Sequence, residues 1–187
     1  AFALENWNEN RKIKTAEIEL YINIMEDLQA DSLLVKNAIQ ELRLQLTAID
    51  LMLEDIANAD STYHHENAAY IRWHSIYYPT TRRNHLDMVS SIRNIEVRKV
   101  IREYFNSEVE TTDVFREYTS IIYDEMRPFM RKTGVLNLGA AYEEDFDTIA
   151  KTLLVQSKVE EILDNIYFQQ ILIERRFKTN LFVTILS

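Results

Sequence analysis

Apolar residues recur along the first third of the chain with a period of three and a half residues. Stepping alternately three and four positions from residue 18, the row reads Ile18, Tyr21, Met25, Leu28, Ser32, Val35, Ile39, Leu42, Leu46, Ile49, Leu53 and Ile56. Ser32 is its one weak member. A register held this long without a slip belongs to an α-helix that packs along its length in a left-handed, coiled-coil-like manner. No Gly or Pro interrupts it, so one helix is predicted from Leu4 to Ala57. At a rise of 1.5 Å per residue such a helix is about 80 Å long, which predicts a rod and not a compact globule. Leu20, Ile24, Leu34, Ala38, Leu44 and Leu51 form a second apolar strip. A single neighbour along one seam would leave that strip wet. Buried contacts with a second copy, most simply in a two-fold dimer, are therefore expected.

Beyond this helix the pattern shortens. Asn58 to Thr62 is a polar break with capping chemistry. A short helix is predicted from Glu66 to Tyr77, stopped by Pro79, and a turn from Asp87 to Ser91. Asn94 reads as an N-cap, with Glu96 in the first turn of a helix carrying Ile95, Val97, Val100, Ile101, Tyr104 and Phe105. Ser107 and Glu110 have capping-box spacing that would restart it. The pattern continues through Phe115, Tyr118, Ile122 and Met126, with Pro128 kinking the last turn. Gly134 to Gly139 is the clearest loop. A final helix is expected to begin between Tyr142 and Val155 and to carry Val159, Ile162, Ile166, Ile173, Phe177 and Leu181 to the C-terminus. Two Gly and two Pro among 187 residues cannot supply the turns of a sheet-rich fold. The expected fold is all-α: an elongated antiparallel helical bundle, a coiled-coil-like rod built on the long N-terminal helix.

Charge and composition remove several functions. A net charge of −9 argues against a nucleic-acid groove, which needs clustered Lys and Arg. Without Cys there are no disulfides, no thiolate chemistry and no cysteine-held zinc. No segment reaches the roughly 18–20 apolar residues that cross a bilayer. The first residues, however, have the order found where a membrane helix leaves the bilayer: apolar Phe2 and Leu4, interfacial Trp7, then basic Arg11 and Lys12. These five are the candidate membrane-interface residues.

The Leu4 to Lys12 stretch, with Asn-Trp-Asn-Glu-Asn-Arg-Lys at its core, resembles the membrane-exit motif of a family of uncharacterised bacterial membrane proteins with one N-terminal transmembrane helix. Thr81-Arg82-Arg83 through Leu86, then Ile92 to Arg98 and Glu103-Tyr104-Phe105, resemble a second and less specific motif. Where that family often carries a small residue and Gly, this chain has Val89-Ser90-Ser91. The resemblance implies a single-pass anchor in the bacterial inner membrane and a helical domain on the periplasmic side. Residues 1–12 would end the anchor and its collar, and 13–187 would form one domain. It implies no activity.

Residues 63–78 have the oddest local composition, with Tyr63, His64, His65, Tyr70, Trp73, His74, Tyr77 and Tyr78 close together and Arg82, Arg83 and His85 following. Aromatic walls with a few donors suit a small ligand or a partner, and the two arginines suit an anion. Bulky residues plugging a bundle end, with arginines paired to acids, explain the same composition. His64, His65, Trp73, His74, Arg82 and Arg83 are the candidate ligand-binding residues. Metal spacing is absent. No Glu stands three before a His, and Glu66 and His74, two turns apart, are too far apart for one ion. Gly134 and Gly139 fit no phosphate loop, dinucleotide fingerprint or nucleophile elbow. No catalytic residues, metal or cofactor are therefore expected. Three readings remain, in this order: a membrane-anchored structural or interaction domain that self-associates or holds a protein partner; a sensor-type domain binding a small ligand or anion near residues 63–85; and a metal-dependent enzyme assembled from distant segments.

Overall fold

Helix α1 (Phe2–Ala57) runs without interruption, as its period and its lack of helix breakers predict. The computed structural model describes residues 2–58 and 68–187, so the expected break at Asn58 to Thr62 falls largely outside the described residues. The face that α1 buries joins half of the first expected row to Leu20, Ile24 and Ala38 of the second strip, which are covered within the chain. Ile24, Asp31, Ala38, Gln45 and Met52, seven positions apart, are all buried. Leu28, Val35, Leu42, Ile49 and Ile56 flank them, buried or half-buried. The other half of that first row is less covered: Ile18 and Met25 are 57% and 54% exposed, and Ser32 is exposed. The seam is thus turned toward Asp31 and Gln45. Counting apolar residues cannot find such a seam, because a polar side chain is buried at little net cost once its hydrogen bonds are made.

The remaining elements are α2 (Thr81–His85), α3 (Ile95–Ser120), a π-helical segment (Ile121–Met126), α4 (Arg127–Thr133), α5 (Phe146–Thr152), α6 (Gln156–Leu163) and α7 (Ile166–Leu186). Short 3-10 turns cover Ala68–Arg72, Val89–Ser91 and Gly139–Tyr142. The fold is all-α. Among the described residues there is no strand, only an isolated antiparallel bridge between Leu136 and Leu154. None of the described helices is long and apolar enough to cross a membrane.

Several expected boundaries move. In place of a helix from Glu66 to Tyr77 there is the 3-10 turn, then irregular chain from Trp73 to Thr80; residues before Ala68 lie outside the described part. Ser107 restarts nothing, because α3 continues through it. Pro128 stands in the first turn of α4, not in a kinked last turn. Proline has no N–H, and its ring crowds the carbonyl four residues back. The π-helical segment immediately before it loosens the turn where that carbonyl lies. Gly134 ends α4 in the left-handed conformation, φ 67°, as a helix C-cap prefers. The final helix begins only at Ile166, because Asp145 caps a separate α5 and Asn165 caps α7 through the Phe168 N–H.

The chain divides into two compact units, with α1 and α3 contributing to both. Residues 1–36 and 77–110 form the first. Its core gathers Leu20 and Ile24 of α1 with Val89, Ile92, Ile101 and Phe105. α2 has only five residues, too few to hold itself, and Thr80 provides no side-chain cap. Asp31 of α1 does so instead. It accepts the Thr80 and Thr81 N–H groups at 2.9 and 3.0 Å, both threonine hydroxyls at 3.4 and 2.6 Å, and the Tyr104 hydroxyl at 3.2 Å. Glu108 of α3 accepts the next N–H, from Arg82, at 3.2 Å. Asp27 holds the other end of α2, accepting from Asn84 at 2.8 Å and His85 Nε2 at 2.9 Å. As predicted, Asn94 caps α3, accepting the Glu96 and Val97 N–H groups.

Burial raises the pKa of Glu108 above its ordinary 4.5, and the nearby charge of Asp31 adds to this; the Arg82 N–H opposes it. A carboxyl raised by folding stabilises the fold below its unfolded pKa, and that contribution fades as pH rises through the folded value. Protection of the α2 amides from hydrogen exchange should therefore decline as pH is raised from 4.5, after correction for the intrinsic exchange rate. Glu108→Gln keeps an acceptor for Arg82 and should flatten that decline. A steeper decline in the variant would refute the assignment.

Residues 37–76 and 111–187 form the second unit. Here α7 runs antiparallel to the α3–α4 run. Phe182 stacks on Tyr118 while Phe168 stacks on Phe129, and Lys178 pairs with Glu117 at 2.7 Å. Ala48, Ile49 and Met52 of α1 join Ile121, Met126, Met130, Val159, Ile171 and Leu172 in its core.

Candidate functional site

Gln45 is the side chain around which the second unit's polar interior is arranged. Its amide oxygen accepts the Tyr118 hydroxyl at 2.5 Å and Arg175 Nη2 at 2.9 Å, while its Nε2 donates to the Ser75 hydroxyl at 3.3 Å. Ser75 also donates its N–H to Tyr118 at 3.1 Å and its hydroxyl to the Ala38 carbonyl at 3.4 Å. Arg175 Nη2 reaches the Trp73 carbonyl at 2.6 Å. The irregular backbone thus has its Ser75 N–H and Trp73 carbonyl met by side chains of α3 and α7, while α1 holds the Ser75 hydroxyl. This pinning decides which way Trp73 and His74 face.

Between this segment, α1 and Arg127 lies a cleft of about 480 Å³, within the range of small-molecule sites. Tyr70, Trp73, Ile76 and Leu44 provide its apolar lining, and Glu41, Gln45, His74 and Arg127 its polar groups. Tyr70 and Trp73 meet edge to face, with centroids 5.3 Å apart. His74 Nδ1 lies 3.0 Å from the Ser75 carbonyl, which can only accept, so Nδ1 carries a hydrogen. In the neutral ring Nε2 is then the acceptor for the Tyr123 hydroxyl. The Arg127 guanidinium sits over the Tyr123 ring at 4.3 Å and donates through Nε to the Arg72 carbonyl at 3.3 Å.

The electrostatics are unusual for an acidic chain. Burial lowers the pKa of Arg72, and the nearby charges of Arg127 and Arg131 lower it further. Arg175 is completely buried, which lowers its pKa; Tyr118 counters and Arg127 adds to the lowering. Among the described residues its Nε and Nη1 have no hydrogen-bond partner, and its charge rests against the Tyr118 ring at 5.6 Å. No ion pair joins Arg72, Arg127 or Arg175 to a carboxylate among the described residues.

Of the candidate ligand-binding residues, Trp73 and His74 line this cleft. His64 and His65 lie outside the described residues. Arg82 and Arg83 belong to the first unit, where Arg82 gives its N–H to Glu108 and Arg83 is exposed; they are not among the residues lining the cleft. Arg127, Glu41, Gln45 and Arg175 were not expected at a site. A signal for Arg175 is present in the sequence: it stands in the row Phe168, Ile171, Arg175, Thr179, Phe182, a charge on the buried face of α7. His85 is buried and its Nδ1 has no partner among the described residues. Among the membrane-interface candidates, Trp7 is 58% exposed with Arg11 over its ring at 5.7 Å, and Lys12 is exposed. The side chains of Phe2 and Leu4 lie outside the described part. No group of residues able to hold a metal ion occurs among the described residues.

Compared with protein-family models, curated proteins and solved structures, the chain matches none.

Proposed function

We propose that this chain is a membrane-held helical binding module whose second unit takes a small ligand. The cleft carries the reading: an aromatic wall of Tyr70 and Trp73, pinned from behind by Arg175, with one guanidinium in the lining. The membrane part is supported by the order Trp7, Arg11, Lys12 at the start of α1. The chain would then stand on the periplasmic side of a bacterial inner membrane. Thermal-shift screening of small acids, amines and neutral aromatics, with Trp73→Ala in parallel, tests the ligand half. Compounds that stabilise the parent should lose that effect in the variant; an identical response in both rejects the cleft. Recovery of the full-length protein in the soluble cell fraction would reject the membrane half.

A second reading is self-association as an interaction domain. Ile18, Ile22, Met25 and Leu33 are each more than half exposed on α1, more apolar surface than one helix usually leaves wet. Light scattering at tens of micromolar should report a dimer; a monomer would reject it.

A further inference from the structure

We propose that the ligand of the second unit's cleft is a small organic carboxylate with a flat apolar body, its carboxylate taken by Arg127 and its body laid against Trp73 and Tyr70. This rests on the ligand-binding reading above and adds the chemical class.

Arg127 is the cation in the cleft lining. Its position is set from two sides, by the Tyr123 ring beneath the guanidinium and by the bond from Nε to the Arg72 carbonyl. Both contacts leave the two terminal nitrogens, which match the two oxygens of a carboxylate. No protein carboxylate forms an ion pair with them among the described residues. Behind it, Arg72 and the buried Arg175 add positive potential, and among the described residues no ion pair neutralises either. An anion entering this cleft relieves repulsion among these cations, so its charge complements what the carboxylates among the described residues leave uncompensated. Lys would not substitute, since a point charge offers no fork and does not lie flat on Tyr123.

The opposite wall selects the remainder of the ligand. Trp73, Tyr70, Ile76 and Leu44 offer apolar and aromatic surface, on which a flat body gains both burial and ring contact. Inorganic anions would use Arg127 and leave this surface wet. Glu41 also lines the cleft. An ammonium on the ligand would meet it, whereas a plain acid would be repelled by it. Carboxylate on Arg127 is common to both cases, and Glu41 distinguishes them.

The chain contains two tryptophans, Trp7 and Trp73, so in a Trp7→Phe background the emission of Trp73 reports the cleft alone. Four probes decide the matter: phenylacetate, L-phenylalanine, benzyl alcohol and inorganic phosphate. Phenylacetate or phenylalanine should change Trp73 emission saturably, with phosphate and benzyl alcohol at least tenfold weaker. Arg127→Gln should weaken the bound acid tenfold or more while its thermal midpoint stays within a few degrees of the parent's. Glu41→Gln should tighten phenylacetate if plain acids are the class, and weaken phenylalanine if amino acids are. Benzyl alcohol binding as well as either acid would overturn the carboxylate assignment and leave the cleft standing. Retained acid binding in Arg127→Gln would do the same. Silence from all three aromatic probes up to 10 mM, on the order of the weakest useful affinity, would overturn both.

Discussion

Asp31→Ala is expected to destabilise the first unit by about 3–5 kcal/mol. One carboxylate there satisfies two backbone N–H groups and three hydroxyls, and the residue is only 4% exposed. Leaving a buried donor without a partner costs about 1–3 kcal/mol, and water cannot easily repair it. The hydroxyls can rotate toward other acceptors; the Thr80 and Thr81 N–H groups cannot. Relief of the repulsion between Asp31 and Glu108 offsets part of the loss. Chemical denaturation measures the total, and hydrogen exchange at Thr80 and Thr81 locates it. Asp31→Asn keeps the volume but turns an NH2 toward donors, so it should recover no more than about half. A loss below about 1 kcal/mol for Asp31→Ala would mean that α2 holds its N-terminus by other means.

Arg175→Ala should cost the second unit about 3 kcal/mol, while Arg175→Met stays within about 1 kcal/mol of the parent. Two effects compete here. A fully buried guanidinium that has, among the described residues, two nitrogens without a partner and no ion pair carries a desolvation cost of several kcal/mol. Against this stand its bonds to Gln45 and the Trp73 carbonyl and the space it fills. Met keeps most of the volume and removes the charge, so the lost bonds and the relieved desolvation nearly cancel. Ala adds a cavity, at about 2–5 kcal/mol for a long side chain. The variants should also separate stability from function: Arg175→Met frees the Trp73 carbonyl, so Trp73 emission should shift although the unit remains folded. If Met proves as damaging as Ala, the hydrogen bonds and not the packing hold the 70–76 segment.

The candidate site shows where apolar counting stops being informative. Trp73 and His74 stand out by composition, because aromatic and imidazole side chains are rare enough for a cluster to be noticed. Arg127 sits in an ordinary charged context beside Pro128 and becomes part of a site only because the π-helical segment and α4 place it over Tyr123. Gln45 and Asp31 illustrate the same point on α1. Both stand in the row of Ile24, Ala38 and Met52; apolar counting places Ile24 and Ala38 in a second strip but passes over the row's two polar members.

The sequence alone determined that the fold is all-α, that α1 is continuous from end to end, and that Asn94 starts α3 and Gly134 ends α4. These depend on local terms: helix propensity over an unbroken stretch, side-chain caps within three residues, and a glycine at positive φ. The separate starts of α5 and α7 follow from the local caps Asp145 and Asn165, which a count of apolar positions does not register. Only the tertiary structure decided which face of α1 is buried and that the chain divides into two units. It also decided that a short 3-10 turn and irregular chain replace the helix expected before Pro79. Those outcomes depend on hydrogen bonds between residues 30 to 130 positions apart, which compete with local preference and leave no periodic trace along the chain.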